Sequence, residues 1–344
     1  MFRAAKNAPR NALSRTNCMV IPQKLAALLV ATVTLSFAAC PTKADDYPSR
    51  PVKIIAPFGA GGPTDVYTRA VAEELRQSLH QTFIIENRPG AGTTIGTDLV
   101  AKATPDGYTL LMISGTQAVN ETLYAKKPYQ LMRDLVPVAP LIDTDLVLVV
   151  PASLPVKSIA ELLALAREKP GTLNYGSSGP GSNYHMAGEL LKNLTGIDIV
   201  HVPYKGSTGM RTDILSGQIQ MLFDSVPTMA STIKSGLVRP LATTGKTRSA
   251  ILPDVPTFQE AGVPRFNATL WVGFMAPAGT PQAVVDLLNR EIGKIVSRPD
   301  IKAAWEKTGA VPITMTQPEF KTFVEAEIAK WAKIIEANHI PAIN

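Results

Sequence analysis

Three short segments hold the residue types that could do chemistry. They are Pro57-Phe58-Gly59-Ala60-Gly61-Gly62-Pro63-Thr64-Asp65, Asn87-Arg88-Pro89-Gly90-Ala91-Gly92-Thr93-Thr94 and Gly176-Ser177-Ser178-Gly179-Pro180-Gly181-Ser182. The first two follow apolar, β-branched runs, the third follows Leu173-Asn174-Tyr175, and each precedes a helical pattern, so each is a strand-to-helix turn. Such turns lie outside the carboxyl ends of strands in open α/β sheets, where ligands bind. The helix start supplies unpaired N–H groups and the positive end of the dipole, which together hold anions. Glycine lets a ligand approach the backbone closely, and Thr64, Thr93, Thr94, Ser177, Ser178 and Ser182 add hydroxyls. The first and third turns carry no Lys or Arg, which points to a small carboxylate held by backbone amides rather than a polyphosphate. For any single turn, plain turn-making and capping is the alternative.

Other chemistries are poorly served. Gly90-Ala91-Gly92 has Ile95 where a dinucleotide fingerprint wants Gly, and Asp106 comes too early for the ribose acid. No P-loop and no Gly-x-Ser-x-Gly elbow occur. The histidines are His80, His185, His201 and His339, and only His185 with Glu189 shares a helical face, which makes no metal site. No cofactor is expected. His185 starts a helix beside the third turn and is open to either a structural or a ligand-contact reading; His201 reads as structural. Asp65 reads as a cap, with a ligand amino group as the other option, and Asp224 ends an apolar strand and could face a cleft. Trp271 reads as packing between crossing strands.

The elements that position these turns come in two sets. Val52–Ala56, Thr82–Glu86 and Tyr108–Ser114 are strands, and Gly115-Thr116-Gln117 opens the helix after the third. Val138–Val150 is a long extended segment, and Ser158 with Glu161 forms a capping-box pattern for the helix that follows. The second set runs through Leu173–Tyr175, Asp198–Val202, the turn Pro203-Tyr204-Lys205-Gly206, a helix from Met210 to Ser216, then strands Gln220–Asp224 and Val238–Thr243. Ala268–Met275 is a second extended crossing, and only helices are expected beyond it. Strands alternating with helices predict mostly parallel sheets covered on both faces. Two crossings predict two lobes, 45–145 with 271–344 and 146–270, and a ligand cleft between them.

The chain has 344 residues, a formal net charge of +6 and a sequence pI near 9.2. That excess sits in residues 1–44, which hold Arg3, Lys6, Arg10, Arg15, Lys24 and Lys43 and no acid. With six of the 34 basic residues there, 28 remain against 28 acidic residues from Asp45 onward, so no nucleic-acid partner is expected. The apolar run Leu25–Ala39 is shorter than the ~20 residues that span a bilayer. It reads as the core of a secretory signal cut after Ala44, with lipidation at Cys40 as the lesser alternative. Both cysteines, Cys18 and Cys40, lie in this leader, so the exported chain would lack thiols.

Several motifs, in order, resemble one family. VKIIAPFGAGGPTD (52–65), ENRPGAGTTIG (86–96), PDGYTLL (105–111), YGSSGPGSNYHMAGEL (175–190), HVPYKG (201–206), LPDVPT (252–257) and WVGFMAPAGT (271–280) are similar to the tripartite tricarboxylate transporter receptors, also called Bug proteins. The resemblance implies a two-lobed, type II-like periplasmic-binding-protein fold, closure on a small carboxylate and delivery to a membrane permease. It implies no catalysis and a monomer in the periplasm. It maps the proximal carboxylate onto Phe58, Gly59, Ala60, Gly61, Gly62, Thr64, Asp65, Gly90, Ala91, Gly92 and Thr93, with Thr116 nearby. The distal part of the ligand maps onto Ser177, Ser178, Gly181, Ser182, His185, Tyr204 and Asp224. Thr93 stands where the family often has Gly, and Gly59 where Ala is common. The competing reading is a secreted α/β enzyme acting on a carboxylate, with His185 or Asp224 as acid or base.

Overall fold

The computed structural model describes residues 47–343; the expected leader, its cleavage site and both cysteines lie outside them. One set of elements begins with β1 (Val52–Ala56), α1 (Pro63–Leu79), β2 (Phe83–Asn87), α2 (Thr94–Ala101), β3 (Thr109–Ser114), α3 (Gly115–Leu123) and a short α4 (Leu131–Asp134). β4 (Leu135–Pro151) then leads to α5 (Ile159–Glu168), β5 (Asn174–Ser177), α6 (Asn183–Thr195), β6 (Val200–Pro203), α7 (Ser207–Ser216), β7 (Met221–Ser225), α8 (Val226–Lys234) and β8 (Val238–Thr243). β9 (Thr269–Pro277) returns, followed by α9 (Gln282–Ser297), α10 (Pro299–Glu306), β10 (Ala310–Pro312) and α11 (Gln317–Ala337).

The strands follow one path, β2-β1-β3-β9-β4-β7-β5-β6, with β8 and β10 also paired to β4. Parallel pairing joins β1 to β2 and β3, and β5 to β6 and β7; every pair made by β4 or β9 is antiparallel. β4 serves both halves: Leu135–Asp145 pairs with β9, and Leu146–Val149 with β7. Its register against β9 shifts at Pro137/Ala139 and Pro140/Ile142. Proline has no N–H to give the ladder, so bulges form there. Val52, Ile54, Ile55 and Ala56 are wholly buried, as a strand between two neighbours requires.

Helix starts follow their caps. Ser158 Oγ accepts the Glu161 N–H at 3.2 Å, whereas the Glu161 carboxylate takes the Lys157 N–H at 2.7 Å, not that of Ser158. α3 carries a full capping box between Ser114 and Gln117, and α11 one between Thr316 and Glu319. α4, α8 and β10 were not expected from the pattern. β10 is three residues long, and α8 opens on Val226-Pro227, which reads as a break although Pro suits a first helical turn.

α11 packs on α3 and β4 and ends against α6, where Asn338 Nδ2 donates to the Glu189 carbonyl at 2.5 Å. Trp271 is 1% exposed and packs edge-on to Phe320 and Phe323, with its Nε1 donating to Glu327 at 3.1 Å. It is a packing residue of the crossing strands, as expected. Among the described residues no helix is long and apolar enough to cross a membrane.

Candidate functional site

The register Ala56↔Asn87 sets the ends of β1 and β2 side by side, so the first two turns leave the sheet together. Asp65 organises them. Its Oδ2 accepts from the Gly61 N–H (3.0 Å) and Arg69 Nε (2.9 Å), and its Oδ1 from Asn87 Nδ2 (3.0 Å), which also donates to the Phe58 carbonyl (3.1 Å). Burial raises the Asp65 pKa, but these bonds from Arg69, Gly61 and Asn87 outweigh it and hold it below the usual range. Asp65 is 3% exposed and fully engaged as a brace. Among the described residues, the N–H groups of Gly59, Ala60 and Gly62 meet no acceptor.

The second turn is strained. Gly90, Ala91, Gly92 and Thr93 have φ of 134°, 44°, 57° and 85°. Positive φ is unusual for Ala and more so for a β-branched Thr, at roughly 1–3 kcal/mol each. Gly92 is required twice over, since a Cβ there would lie 2.2 Å from the Tyr124 hydroxyl. Asn120 holds the turn from α3, its Nδ2 donating to the Gly92 carbonyl (2.5 Å) and Thr93 Oγ1 (3.2 Å). Neither the Ala91 nor the Gly92 N–H has an acceptor among the described residues, and Thr94 Oγ1 is sealed without a partner.

The third turn differs because it spends its donors internally. Gly179 N–H bonds Ser177 Oγ (3.1 Å), Gly181 N–H bonds His185 Nδ1 (3.1 Å), and Ser182 N–H bonds the Gly179 carbonyl (3.2 Å). Ser182 Oγ caps α6 by accepting the His185 N–H at 3.3 Å. Only the Ser178 N–H stays without an acceptor in that turn. Behind it His185 and His201 stack at 3.9 Å, with Tyr175 5.0 Å beyond His201, and Ser177 Oγ hydrogen-bonds His201 Nε2 at 2.6 Å. Burial, then Lys192, pulls the His185 pKa down to about 4; burial, then His185, pulls His201 down to about 3. Ser177 is wholly buried, so its contact with His201 offers no nucleophile to a substrate.

The two halves meet at α3. A Cβ on Gly181 would lie 2.9 Å from Leu123 and 3.0 Å from Asn120 Oδ1, and one on Gly115 would lie 3.0 Å from Asn183 Oδ1. The second and third turns therefore converge on one face of α3, where Thr116 is also found, 5% exposed, and the first turn lies beside the second through the β1–β2 register.

This geometry is that of a known class of receptor. The pattern of the tripartite tricarboxylate transporter family receptor matches residues 67–340. The chain belongs to this family. Protein BugT of Bordetella pertussis is 38% identical over 314 residues, spanning 91% of this chain and 96% of its own. The solved structure of R. palustris Rpa4515 with adipate superposes with a TM-score of 0.82 at 36% identity, covering 87% of this chain and 100% of its own. MatC (Rpa3494) from Rhodopseudomonas palustris with bound malate does so with a TM-score of 0.77 at 30% identity, covering 84% and 100%.

In this receptor the expected site residues divide by what their polar groups do. Phe58, Gly59, Ala60, Gly61, Gly62 and Thr64, with Gly90, Ala91, Gly92 and Thr93, lie together at the ends of β1 and β2. Ser177, Ser178, Gly181, Ser182 and His185 lie at the end of β5 and the start of α6, with Gly181 against α3. Tyr204 sits at the end of β6, its hydroxyl donating to Asp213 at 2.6 Å; burial and that carboxylate push its pKa up to about 12. Asp224 presents no surface: it is 0% exposed, and Arg211 pairs with it through Nε (2.6 Å) and Nη2 (3.1 Å). The expectation that Asp224 faces a ligand directly is corrected to one in which Arg211 stands over it.

Sequence reasoning missed Asn87, Asn120 and Arg211. The signal for Arg211 was faint: a lone cation in the helix between the Pro203–Gly206 turn and a strand ending in Asp. Concavities of about 640 and 450 Å³ lie elsewhere, lined by residues such as Ser158, Pro240 and Val255, and none of the three turns contributes to them.

Proposed function

We propose that this receptor captures a small carboxylate between lobes 45–145 with 271–344 and 146–270, closes on it, and delivers it to a tripartite tricarboxylate-type membrane permease without catalysis. The carrying observation is the side-by-side placement of five unspent N–H groups, those of Gly59, Ala60, Gly62, Ala91 and Gly92, at the ends of paired strands. Donors pre-aimed by a braced backbone bind an anion without reorganising. The adipate and malate seen in two relatives support the same class of ligand. Export to the periplasm as a monomer, led by residues 1–44, belongs to the same reading.

Closure follows from differential affinity: a ligand held by both halves favours the closed state by the free energy of the contacts that exist only there. Thermal shift and calorimetry with di-, tri- and aromatic carboxylates, with small-angle scattering for compaction, test the proposal. A melting temperature that stays flat across the panel at millimolar ligand overturns it. Turnover of any of these acids would favour the enzyme reading instead.

A further inference from the structure

The Asp224–Arg211 pair has a consequence for which acids the site admits. β5 and β7 are parallel with Gly176↔Leu222 in register, so Ser178 of the third turn and Asp224 sit level at the carboxyl ends of these strands. α6 runs outward from β5 to β6, and α7 runs back from β6 to β7. Right-handed crossovers in opposite directions place the two helices on opposite faces of the sheet. Arg211 of α7 pairs with Asp224 at the end of β7. The guanidinium therefore lies at the strand ends, level with the third turn.

The charges around it are accounted for. Asp224 gives Oδ2 to Arg211 Nε and Oδ1 to both Arg211 Nη2 and the Ser225 N–H (2.8 Å). Asp213, two residues along α7, accepts the Tyr204 hydroxyl. The Arg211 side chain is 29% exposed above the buried Asp224 carboxylate. What this end of the site offers a ligand is thus an outward guanidinium edge, a planar donor fork that matches a carboxylate. A ligand ammonium would meet that cation, while the carboxylate that could receive it is buried beneath.

Resting on the carboxylate-receptor reading above, we infer that Arg211 is a specificity residue that reads an acidic group at the far end of the ligand, with Asp224 as its positioning residue. The site then selects linear dicarboxylates over ω-amino acids and monocarboxylates of equal length.

Calorimetry with succinate, glutarate and adipate, set against 4-aminobutanoate, 5-aminopentanoate, 6-aminohexanoate and hexanoate, tests this on the mature chain. The best diacid is expected to bind at least tenfold tighter than its ω-amino and monoacid counterparts. Arg211→Met should lose that preference and narrow the gap to the ω-amino acids, since no cation is left to repel an ammonium. Because Arg211→Met leaves a buried charge and risks misfolding, the double variant R211M/D224N keeps the question answerable: it should fold and bind mono- and diacids alike. D224N alone retains the cation but loosens its position, so the diacid preference should fall, though less than in R211M/D224N. Diacid preference undiminished in R211M/D224N overturns the inference, as does wild-type protein that binds monoacids as well as diacids. Wild-type protein that binds no carboxylate at all overturns the receptor reading and this inference together.

Discussion

Asn120 and Gly181 face each other across the junction of the two halves. The Asn120 amide nitrogen supports the strained second turn, while its Oδ1, sealed from solvent and without a partner, stands 3.0 Å from where a Gly181 Cβ would be. One side chain thus braces the second turn of one half and abuts the third turn of the other.

Removing that brace should be felt in both stability and affinity. In Asn120→Ala the Gly92 carbonyl and Thr93 hydroxyl lose their donor, and the positive-φ run at 90–93 is no longer held. A loss of roughly 1–3 kcal/mol in denaturant unfolding is expected. Carboxylate affinity should fall with it. Unchanged affinity in a folded variant would show that the turn holds its shape without Asn120.

Gly92→Ala meets two obstacles, a φ of 57° and the Tyr124 ring. Overpacking and the left-handed backbone together should cost about 2–4 kcal/mol. The pair G92A/Y124A should recover only the steric part. Full recovery on thermal melting would mean that the backbone conformation carries no cost.

Two aspartates in β4 bear on pH. Burial pushes Asp143 up to about 7, helped by nearby Asp145 and Glu327, and burial pushes Asp145 up to about 6. Asp143 Oδ1 has no partner. A carboxyl raised on folding binds its proton more tightly in the native state, so its contribution is whole below the unfolded pKa of 3.8 and is lost as pH rises toward 7. Asp143→Asn should therefore stabilise the protein at pH 8, by roughly 1–3 kcal/mol, and change little near pH 4. Equal effects at both pH values would contradict this.

The stacked imidazoles act with the opposite sign. His185 and His201, depressed to about 4 and 3 from 6.5, take up protons on unfolding. Their contribution is whole above pH 6.5 and is lost as pH falls toward 4 and then 3. Between pH 4 and 6.5 the two pairs oppose each other, and the wild-type stability curve should be nearly flat there. In D143N/D145N the histidines act alone, and stability should fall with acidification over that window. Adding His201→Phe with Ser177→Ala should remove about half of that slope, leaving the part that belongs to His185. A slope undiminished by those additions would place the titration elsewhere.

Much of the fold was legible because its signals are local. β-branched runs such as Val52–Ala56 and turn residues such as Gly61-Gly62-Pro63 encode strand, turn and helix within a dozen residues. The order of these units also indicated two halves joined by the extended segments that became β4 and β9. Legibility of the site was poorer. Asp65 and Asp224 are both acids beside turns, yet one braces a loop through Gly61 and Asn87 and the other is covered by Arg211.

By itself, then, the sequence determined where the chain turns, which turns are rich in glycine and hydroxyls, and that the charge excess lies in residues 1–44. Only the tertiary structure decided which N–H groups stay unspent. The third turn has as much glycine and serine as the first, but His185, Ser177 and the Gly179 carbonyl consume its donors. Hydrogen-bond satisfaction depends on partners brought together by folding, and no composition of a single loop contains that information.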